Sequence, residues 1–450
     1  MPKSLLSRDR NLWLAGIFTV SLIGYILLLF NTPREDFYHL FLLFTLLGVC
    51  YIVVLRFSSE SNYKRLLWAA VIFRVALLGA VPELSDDFYR FIWDGLLWNQ
   101  GIPPYAFLPN SLIEHPELSG PLFPELYDGL NSPDYFTIYP ALSQLVFVIS
   151  TILFPESIMG NIITMRLFLI AAEIGTLLLL PKLLEYFQIK SKNALVYAWN
   201  PLVIIELTGN LHFEALMIFF LVLTLWFWKK GTWWWSAVCL GLAVSTKLIP
   251  LIFLPLLWGR LPLKRLLAYY ILTGLTIAIC FIPWFDPDLI MGMSSSLSLY
   301  FQKFEFNASI YYLIREIGYA VKGWNIIETA GKYLALTTFI AIMLLAWWSR
   351  KKITWPQAMM WGLLIYLLLT TTVHPWYITP LVFLSVFSDY RFALVWSFAV
   401  IVSYAGYSSQ GYQENLVLTF AEYALVLGYL VWETRTLLLP KNLFPHKSVN

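Results

Sequence analysis

Charged side chains are scarce in this sequence. Asp, Glu, Lys and Arg make up 13% of its 450 residues, whereas hydrophobic residues make up 59%. Soluble domains usually carry roughly 25% charged residues. The formal net charge of +3 is too small to indicate a nucleic-acid partner. The composition therefore excludes an ordinary soluble domain and predicts a polytopic membrane protein.

Cysteines and nucleotide-binding motifs are also nearly absent. Cys50, Cys239 and Cys280 lie in or beside apolar runs, with neither a pairing pattern nor the spacing of metal ligands. The sequence contains no Cys-x-x-Cys, no His-Glu-x-x-His, no P-loop and no Gly-rich nucleotide cradle. These absences argue against a nucleotide-sugar donor and against coupling to ATP.

Apolar segments of membrane-spanning length recur along the whole chain, with the abundant Trp, Tyr and Phe expected at membrane interfaces. We predict one all-α integral membrane domain over residues 1–450, with about 12–14 transmembrane helices, some of them half-helices. The apolar segments are 12–30, 38–55, 66–81, 137–154, 162–181, 194–210, 212–228, 233–258, 266–284, 332–348, 356–373, 376–388, 392–407 and 416–432.

Basic residues between these segments set the predicted orientation, because cytoplasmic loops are enriched in Lys and Arg. Two long loops, 82–135 and 285–330, are predicted to be external. The first holds a single base, Arg90, and many acids, which are Glu83, Asp86, Asp87, Asp94, Glu114, Glu117, Glu125, Asp128 and Asp134. The loops predicted to be cytoplasmic carry Arg56, Lys64 and Arg65, then Arg260, Lys264 and Arg265, then Arg350, Lys351 and Lys352.

One basic group does not fit simple alternation. Lys182, Lys190 and Lys192 look cytoplasmic, but counting helices from the 82–135 loop places them outside. Either one segment within 137–258 is re-entrant or split, or these lysines break the rule.

Residues 86–98 fit an amphipathic helix lying in the membrane interface, with Ser85 as a candidate cap. Its polar face would carry Asp87, Arg90 and Asp94 towards a cavity. In the alternative, Asp86 and Ser85 cap the helix, and Asp87 and Asp94 pair with Arg90 on a solvated face. The apolar face consists of Phe88, Phe91, Ile92, Gly95 and Leu96.

Five stretches together resemble a known family. The string from Ser85 to Tyr105 resembles the first external loop of GT-C glycosyltransferases, and most closely that of the bacterial polyprenyl-phosphate-mannose-dependent branch. One departure is Leu96, where relatives often carry a basic residue after Trp-Asp-Gly. The other stretches are Thr137-Ile-Tyr-Pro140, Trp199–Leu202 continuing through Glu206 to Gly209–Leu216, Ser245–Pro250, and His374-Pro-Trp-Tyr377.

The resemblance implies a GT-C-type bundle and an inverting transfer of a hexose, with mannose favoured. The donor would be a polyprenyl-phosphate sugar and the acceptor a glycan or glycolipid. The active site would lie on the outer face of the cytoplasmic (inner) membrane. A carboxylate of the first external loop acts as general base in this family, and it maps onto Asp86 or Asp87 here. A carboxylate is suited to accept the proton of an attacking hydroxyl.

Further residues are candidates for contacts with substrate or phosphate. Lys247 lies in an apolar run, where it either meets a phosphate or snorkels. His374 begins a helix that is predicted to lie on the same side of the membrane as Asp86. Its imidazole either contacts the phosphate or the acceptor, or it has a purely structural role. Tyr105 either stacks on a sugar or anchors the loop. The full set is Arg90, Asp94, Tyr105, Tyr139, His212, Lys247, His374 and Tyr377.

A metal requirement is left open, because Asp86 and Asp87 with a water shell could hold a divalent cation.

Two other functions compete with glycosyl transfer. A transporter or lipid flippase would place its polar residues near the midplane on repeated, interrupted segments. No two-fold repeat is visible, and the acids are massed in one loop. An O-antigen-type ligase would rely on a late external loop instead.

Overall fold

The computed structural model describes residues 3–115 and 118–438, so Glu117 and both ends of the predicted 1–450 domain lie outside the described residues. Regular structure in the described part is almost entirely helical. The α-helices are α1 (Lys3–Asn31), α2 (Phe37–Phe57), α3 (Tyr63–Ala76), α4 (Asp87–Asn99), α5 (Pro109–Leu112), α6 (Phe123–Gly129), α7 (Ala141–Leu153), α8 (Ile158–Tyr186), α9 (Leu195–Ala198), α10 (Pro201–Val203), α11 (Glu214–Lys229), α12 (Trp233–Thr246), α13 (Leu263–Phe281), α14 (Leu289–Gln302), α15 (Ile310–Lys322), α16 (Ile327–Ser349), α17 (Trp355–Leu369), α18 (Thr379–Ser385), α19 (Phe392–Ala399) and α20 (Leu416–Leu438).

Tighter and wider helical turns connect several of these helices. A π-helix covers Ile204–Gly209, and one small antiparallel hairpin pairs β1 (Tyr407–Ser408) with β2 (Gly411–Tyr412). The 3₁₀ segments are Ser191–Ala194, Ile249–Phe253, Pro255–Leu257, Ile282–Trp284, Pro375–Ile378 and Val400–Gly406.

Several helices are long and apolar enough to cross a membrane, which confirms the predicted all-α polytopic membrane fold. The uninterrupted spans number six in the described part, or seven with Pro201–Gly209 and Glu214–Lys229 counted as one span bent by 114°. The single spans are Trp13–Asn31, Phe37–Phe57, Ile158–Tyr186, Leu263–Trp284, Ile327–Ser349 and Leu416–Leu437.

Uninterrupted spans are fewer than the apolar segments of the sequence because breaks divide several of those segments. The segment 233–258 is an example. Its α-helix ends at Thr246, and the chain continues as two 3₁₀ turns with Pro250 and Pro255 in their first turns. A proline there removes a backbone donor, so the α-helical hydrogen bonding does not continue.

The structure places the lysines that did not fit simple alternation. Lys192 Nζ donates to the carbonyl of Ser58 at 3.2 Å, so the residues after α8 lie at the same end of the bundle as the 56–65 loop. We call this end the basic end. Lys229 also lies there, with its Nζ 4.3 Å from the ring centre of Phe187, the residue that follows α8.

Helix α7 is short for a membrane span. Its 13 residues span about 20 Å, which is shorter than the roughly 30 Å hydrocarbon core. It packs along α4. A Cβ on Gly95 of α4 would lie 2.6 Å from the carbonyl oxygen of Phe147, so only glycine permits this approach. Helix α4 covers the predicted residues, but most of it is buried instead of presenting a solvated face.

A buried ion pair joins α3 to α8. Arg74 and Glu173 have fully buried side chains, and Arg74 Nη2 lies 2.7 Å from Glu173 Oε2. Arg74 also donates to the carbonyl of Ala198, and the hydroxyl of Tyr197 donates to Glu173. Nearer the N-terminus of α8, Arg166 donates to the carbonyls of Leu78, Thr208 and Gly209, each at 2.8 Å.

We predict that Arg74→Met lowers the stability of the protein by about 3–5 kcal/mol, because it leaves Glu173 as an uncompensated buried charge. Thermal unfolding of the purified protein in detergent would measure the loss. The double variant Arg74→Met/Glu173→Leu should recover much of it. If the losses of the two single variants simply add in the double variant, the pair does not stabilise the fold as described.

Candidate functional site

A cavity of about 460 Å³ opens at the end of the bundle opposite the basic end. Helix α2 connects the two ends, since Arg34 of the cavity precedes it and Ser58 follows it. Loops distant in sequence meet there. The lining residues are Arg34, Glu35, Leu84, Ser85, Asp86, Asp87, Arg90, Asn131, Ser132, Tyr135, Phe136, Thr137, Ile138, Tyr139, Lys247, Ser296, Phe304, Glu305, Phe306, His374, Trp376, Tyr377, Tyr407, Ser408, Gly411 and Tyr412.

Asp86 forms an ion pair in this cavity. Arg34 Nη1, from the short loop between α1 and α2, lies 2.5 Å from Asp86 Oδ2. The guanidinium carbon of Arg34 also lies 4.9 Å from the ring centre of Tyr407. Burial acts to lower the pKa of Arg34, but the adjacent Asp86 outweighs it and the pKa is raised. The cavity therefore contains a firmly charged guanidinium beside its first carboxylate.

Asp87 is held by neutral groups. The hydroxyl of Tyr139 donates to Asp87 Oδ2 at 2.8 Å, and the amide of Asn131 donates to Oδ1 at 3.1 Å. The backbone N–H of Asp87 donates to Ser85 Oγ at 3.3 Å, while Asp86 is the N-cap residue of α4. Two adjacent carboxylates thus differ in environment, one ion-paired and one hydrogen-bonded.

Arg90 and Asp94 form a second, more deeply placed pair. Arg90 Nε donates to Asp94 Oδ1 at 2.7 Å, and Arg90 also donates to the carbonyl of Tyr135. Asp94 is fully buried and accepts a further hydrogen bond from Gln144 at 2.9 Å. The predicted pairing of Asp94 with Arg90 is present, but it is buried and does not include Asp87. Arg90 lines the cavity and Asp94 orients it from behind.

Lys247 adds a third cation to the lining. It directly follows α12, and its Nζ lies 3.2 Å from Glu214 Oε1 and 4.9 Å from the ring centre of Tyr139. Glu214 is fully buried, whereas 15% of the Lys247 side chain is exposed. Lys247 therefore faces the cavity with a buried counter-ion behind it, instead of snorkelling towards the membrane surface.

Three aromatic rings form a stack near Lys247. The rings of His374 and Trp376 lie 4.4 Å apart at 4°, and those of Trp376 and His212 lie 3.7 Å apart. Burial lowers the pKa of His374 to about 4, with Asp87 opposing that shift and Lys247 adding to it. His374 is therefore neutral at pH 7 and can offer a hydrogen bond but not a charge.

The predicted binding residues divide by position. Arg90, Tyr139, Lys247, His374 and Tyr377 line the cavity. Asp94, Tyr105 and His212 lie outside this lining, and each contacts a residue that belongs to it. For example, the buried hydroxyl of Tyr105 donates to the carbonyl of Tyr139 at 2.6 Å. Burial explains the difference, because all three side chains are enclosed by packing.

Sequence reasoning missed several lining residues. Arg34 is a base in the short loop after the first apolar segment, on the same side as the acidic loop, and that position was a usable signal. The hairpin residues Tyr407, Ser408 and Tyr412 lie at the polar break between two late apolar segments. That break was a weaker signal for a residue of the site. Phe306 also lines the cavity, and nothing in the sequence indicated that position. Its backbone forms an isolated β-bridge with Thr372.

A divalent cation does not fit the carboxylates as they are arranged. The described residues contain no group of three or more His, Cys, Asp or Glu side chains that could hold a metal ion. The guanidinium of Arg34 occupies Asp86, and two hydrogen-bond donors occupy Asp87.

Comparison with known proteins identifies a similar protein among the mannosyltransferases. Alpha-(1->6)-mannopyranosyltransferase A of Mycobacterium tuberculosis (strain ATCC 25618 / H37Rv) is 24% identical over 166 residues, which cover 36% of this chain and 30% of that protein. The chain thus matches less than a third of the length of this relative. No solved structure matches.

A family model described as the N-terminal domain of alpha-(1->6)-mannopyranosyltransferase matches residues 27–260, which is more than half of the chain. The matched range includes Arg34, Asp86, Asp87 and Lys247. The protein belongs to the alpha-(1->6)-mannopyranosyltransferase family.

Proposed function

We propose that the protein transfers mannose, with inversion, from a polyprenyl-phosphate carrier to a glycan or glycolipid at the outer face of the cytoplasmic membrane. The observation that carries the proposal is that the carboxylates of Asp86 and Asp87 share one cavity with the cationic side chains of Arg34 and Lys247. A base and a cationic phosphate site are what such a transfer requires.

Asp87 is the proposed general base. The acceptor oxygen attacks the anomeric carbon, its proton passes to Asp87, and the bond from that carbon to the phosphate oxygen breaks. Tyr139 and Asn131 orient the Asp87 carboxylate by hydrogen bonds from neutral groups. Asp86 suits this role less well because Arg34 already occupies it.

Arg34 and Lys247 are the proposed partners of the departing phosphate. Its negative charge grows as the glycosidic bond breaks, and cations stabilise that charge most strongly where water is excluded. Arg34 offers a planar set of donors suited to phosphate oxygens. Asp86 holds that guanidinium at the cavity wall. In this assignment Asp86 positions Arg34 and does not accept the proton.

An apolar groove supports a lipid-linked donor. A second cavity of about 320 Å³ lies between residues 251–255, α16 and α17, and Thr370 and Thr371 form part of its wall. The carbonyl of Thr371 accepts a hydrogen bond from the backbone N–H of Phe306, which lines the first cavity. A polyprenyl chain in this groove would bring its phosphate to the cations.

The outer location rests on charge asymmetry. The cavity lies at the opposite end of the bundle from the basic end, and Lys- and Arg-rich ends of membrane proteins usually face the cytoplasm. Polyprenyl-linked sugars are membrane-embedded, so a donor can diffuse to this end within the bilayer. Membership of a transferase family, with the acids at one end, favours an enzyme over a transporter.

We expect the purified protein in detergent to transfer radiolabelled mannose from polyprenyl-phosphate mannose to a crude glycolipid extract. Polyprenyl-phosphate glucose should be a poor donor, and nucleotide-linked mannose should be inactive, because the described residues form no Gly-rich phosphate cradle. Transfer from the nucleotide-linked sugar alone would contradict the proposed donor class while leaving family membership intact.

The two carboxylates should differ in kinetics. Asp87→Asn should lower kcat by ~10²- to 10⁴-fold, as expected for loss of a general base. Asp86→Asn and Arg34→Gln should share a phenotype, a raised KM for the donor with a smaller loss of kcat. Asp128→Asn, in an exposed acid of the same loop, is the control. A dead Asp86→Asn variant beside an active Asp87→Asn variant would assign the base to Asp86.

His374 should act as a neutral hydrogen-bonding group. His374→Ala should lower turnover by about tenfold, since one lost hydrogen bond to a charged group is worth about 1.5–3 kcal/mol. His374→Gln should keep more activity and the same pH–rate profile between about pH 5 and 8. A rate step near pH 6.5 that disappears in His374→Gln would contradict a neutral imidazole.

The lowered pKa of His374 also affects the stability of the folded protein. The pKa of His374 is about 4 when folded, below the unfolded value of about 6.5. The unfolded chain therefore binds this proton more readily, and stability falls as the pH drops below about 6.5 towards 4. Thermal unfolding at several pH values should show a weaker dependence in His374→Gln.

A further inference from the structure

A third cavity, separate from the proposed active site, lies at the basic end. It has a volume of about 370 Å³ and lies between α3 and α8. Its lining combines basic, aromatic and aliphatic side chains. The residues are Tyr63, Lys64, Leu67, Trp68, Val71, Ile174, Leu177, Leu178, Pro181, Lys182 and Glu185.

Two lysines form its charged mouth. Lys64 lies in the first turn of α3, and Lys182 lies near the end of α8. Both are exposed, and neither forms a salt bridge within the described part of the chain. The one acid of the lining, Glu185, accepts a hydrogen bond from the hydroxyl of Ser191 at 2.6 Å. Two cations from different helices thus line one groove, each beyond salt-bridge distance of any acid in the described residues.

The rest of the groove is lined mostly by aliphatic side chains, some of them exposed on the flank of the bundle. Beyond the lysines, in the direction of the proposed active site, Leu67 and Val71 of α3 line one side of the groove. Ile174 and Leu178 of α8 line the other side. Leu178 is 53% exposed and Trp68 is 59% exposed, although both lie on helices of a membrane bundle. An exposed tryptophan beside lysines is typical of the boundary between headgroups and acyl chains.

We propose that this groove binds one anionic phospholipid of the leaflet at the basic end. The phosphate lies between Lys64 and Lys182, and one acyl chain lies along the aliphatic strip. The chemistry of both parts argues for a whole lipid. A free anion would leave the aliphatic strip uncovered, and the ammonium group of a zwitterionic lipid would add a third cation beside the two lysines. Paired basic residues between membrane helices suit an anionic headgroup.

A bound lipid would act on the helix pair that carries the buried ion pair. Arg74 of α3 and Glu173 of α8 meet next to the apolar end of this groove. The chain runs from the end of α3 at Ala76 to the start of α4 at Asp87 through one loop, which contains Ser85. A ligand that bridges α3 and α8 stabilises the folded state in proportion to its occupancy. The lipid would therefore raise the thermal stability of the protein.

Native mass spectrometry of the detergent-purified protein tests the proposal. Phosphatidylglycerol is titrated against phosphatidylcholine of the same acyl chains, and unfolding temperatures are measured in parallel. We expect one phosphatidylglycerol to bind and to raise the unfolding temperature. Lys64→Gln/Lys182→Gln should weaken that binding about tenfold or more, because each lysine contributes to the attraction of an anionic headgroup.

The matched control is Lys264→Gln/Lys351→Gln, which removes two exposed lysines from other predicted cytoplasmic loops and should leave binding unchanged. Val71→Trp, which fills the apolar part of the groove, should weaken binding with both lysines intact. Equal binding of the two lipids, undiminished binding in the Lys64/Lys182 variant, or equal protection by glycerol phosphate alone would overturn the proposal. None of these outcomes depends on transferase activity.

Discussion

A charged side chain inside this bundle is accommodated where an opposite charge or several hydrogen-bonding groups meet it, and the rest of the architecture depends on that constraint. Arg74 and Glu173 fasten α3 to α8 with no exposed side-chain surface. Arg166 is satisfied by three carbonyls instead. Because an unpaired charge in such surroundings costs several kcal/mol, these contacts fix which helices adjoin one another. The path of the chain between the two ends follows from them.

The cavity is where the same constraint is relaxed. The side chains of Arg34 and Asp86 are 24% and 30% exposed, in contrast to the fully buried Arg74 and Glu173. Separating Arg34 from Asp86 costs less free energy, because water or a substrate group can replace the lost partner. Lys247 is intermediate, with a buried carboxylate behind it and the cavity in front. Charges that hold the fold and charges available to a ligand are thus distinguished by exposure.

The sequence predicted the features that depend on local pattern. The membrane class followed from composition, and the α4 helix followed from the spacing of its apolar residues. Pairings between distant segments could not be predicted. Arg34 and Asp86 are 52 positions apart. Glu422, an acid in the last helix with no obvious role in the sequence, accepts hydrogen bonds from Asn307 and Trp396. Such contacts depend on helix order, which local periodicity does not encode.

The two cavities near Phe306 have different surroundings, and this has a consequence for turnover. The apolar groove is bounded by the flanks of α16 and α17, whereas the larger cavity opens among loops at the end of the bundle. In the proposed reaction the elongated glycan would leave through the loops, and the spent carrier would leave sideways into the bilayer. The two products would then depart by separate routes, and each route could limit the rate independently. A high local concentration of spent carrier would slow the enzyme even when the glycan leaves freely.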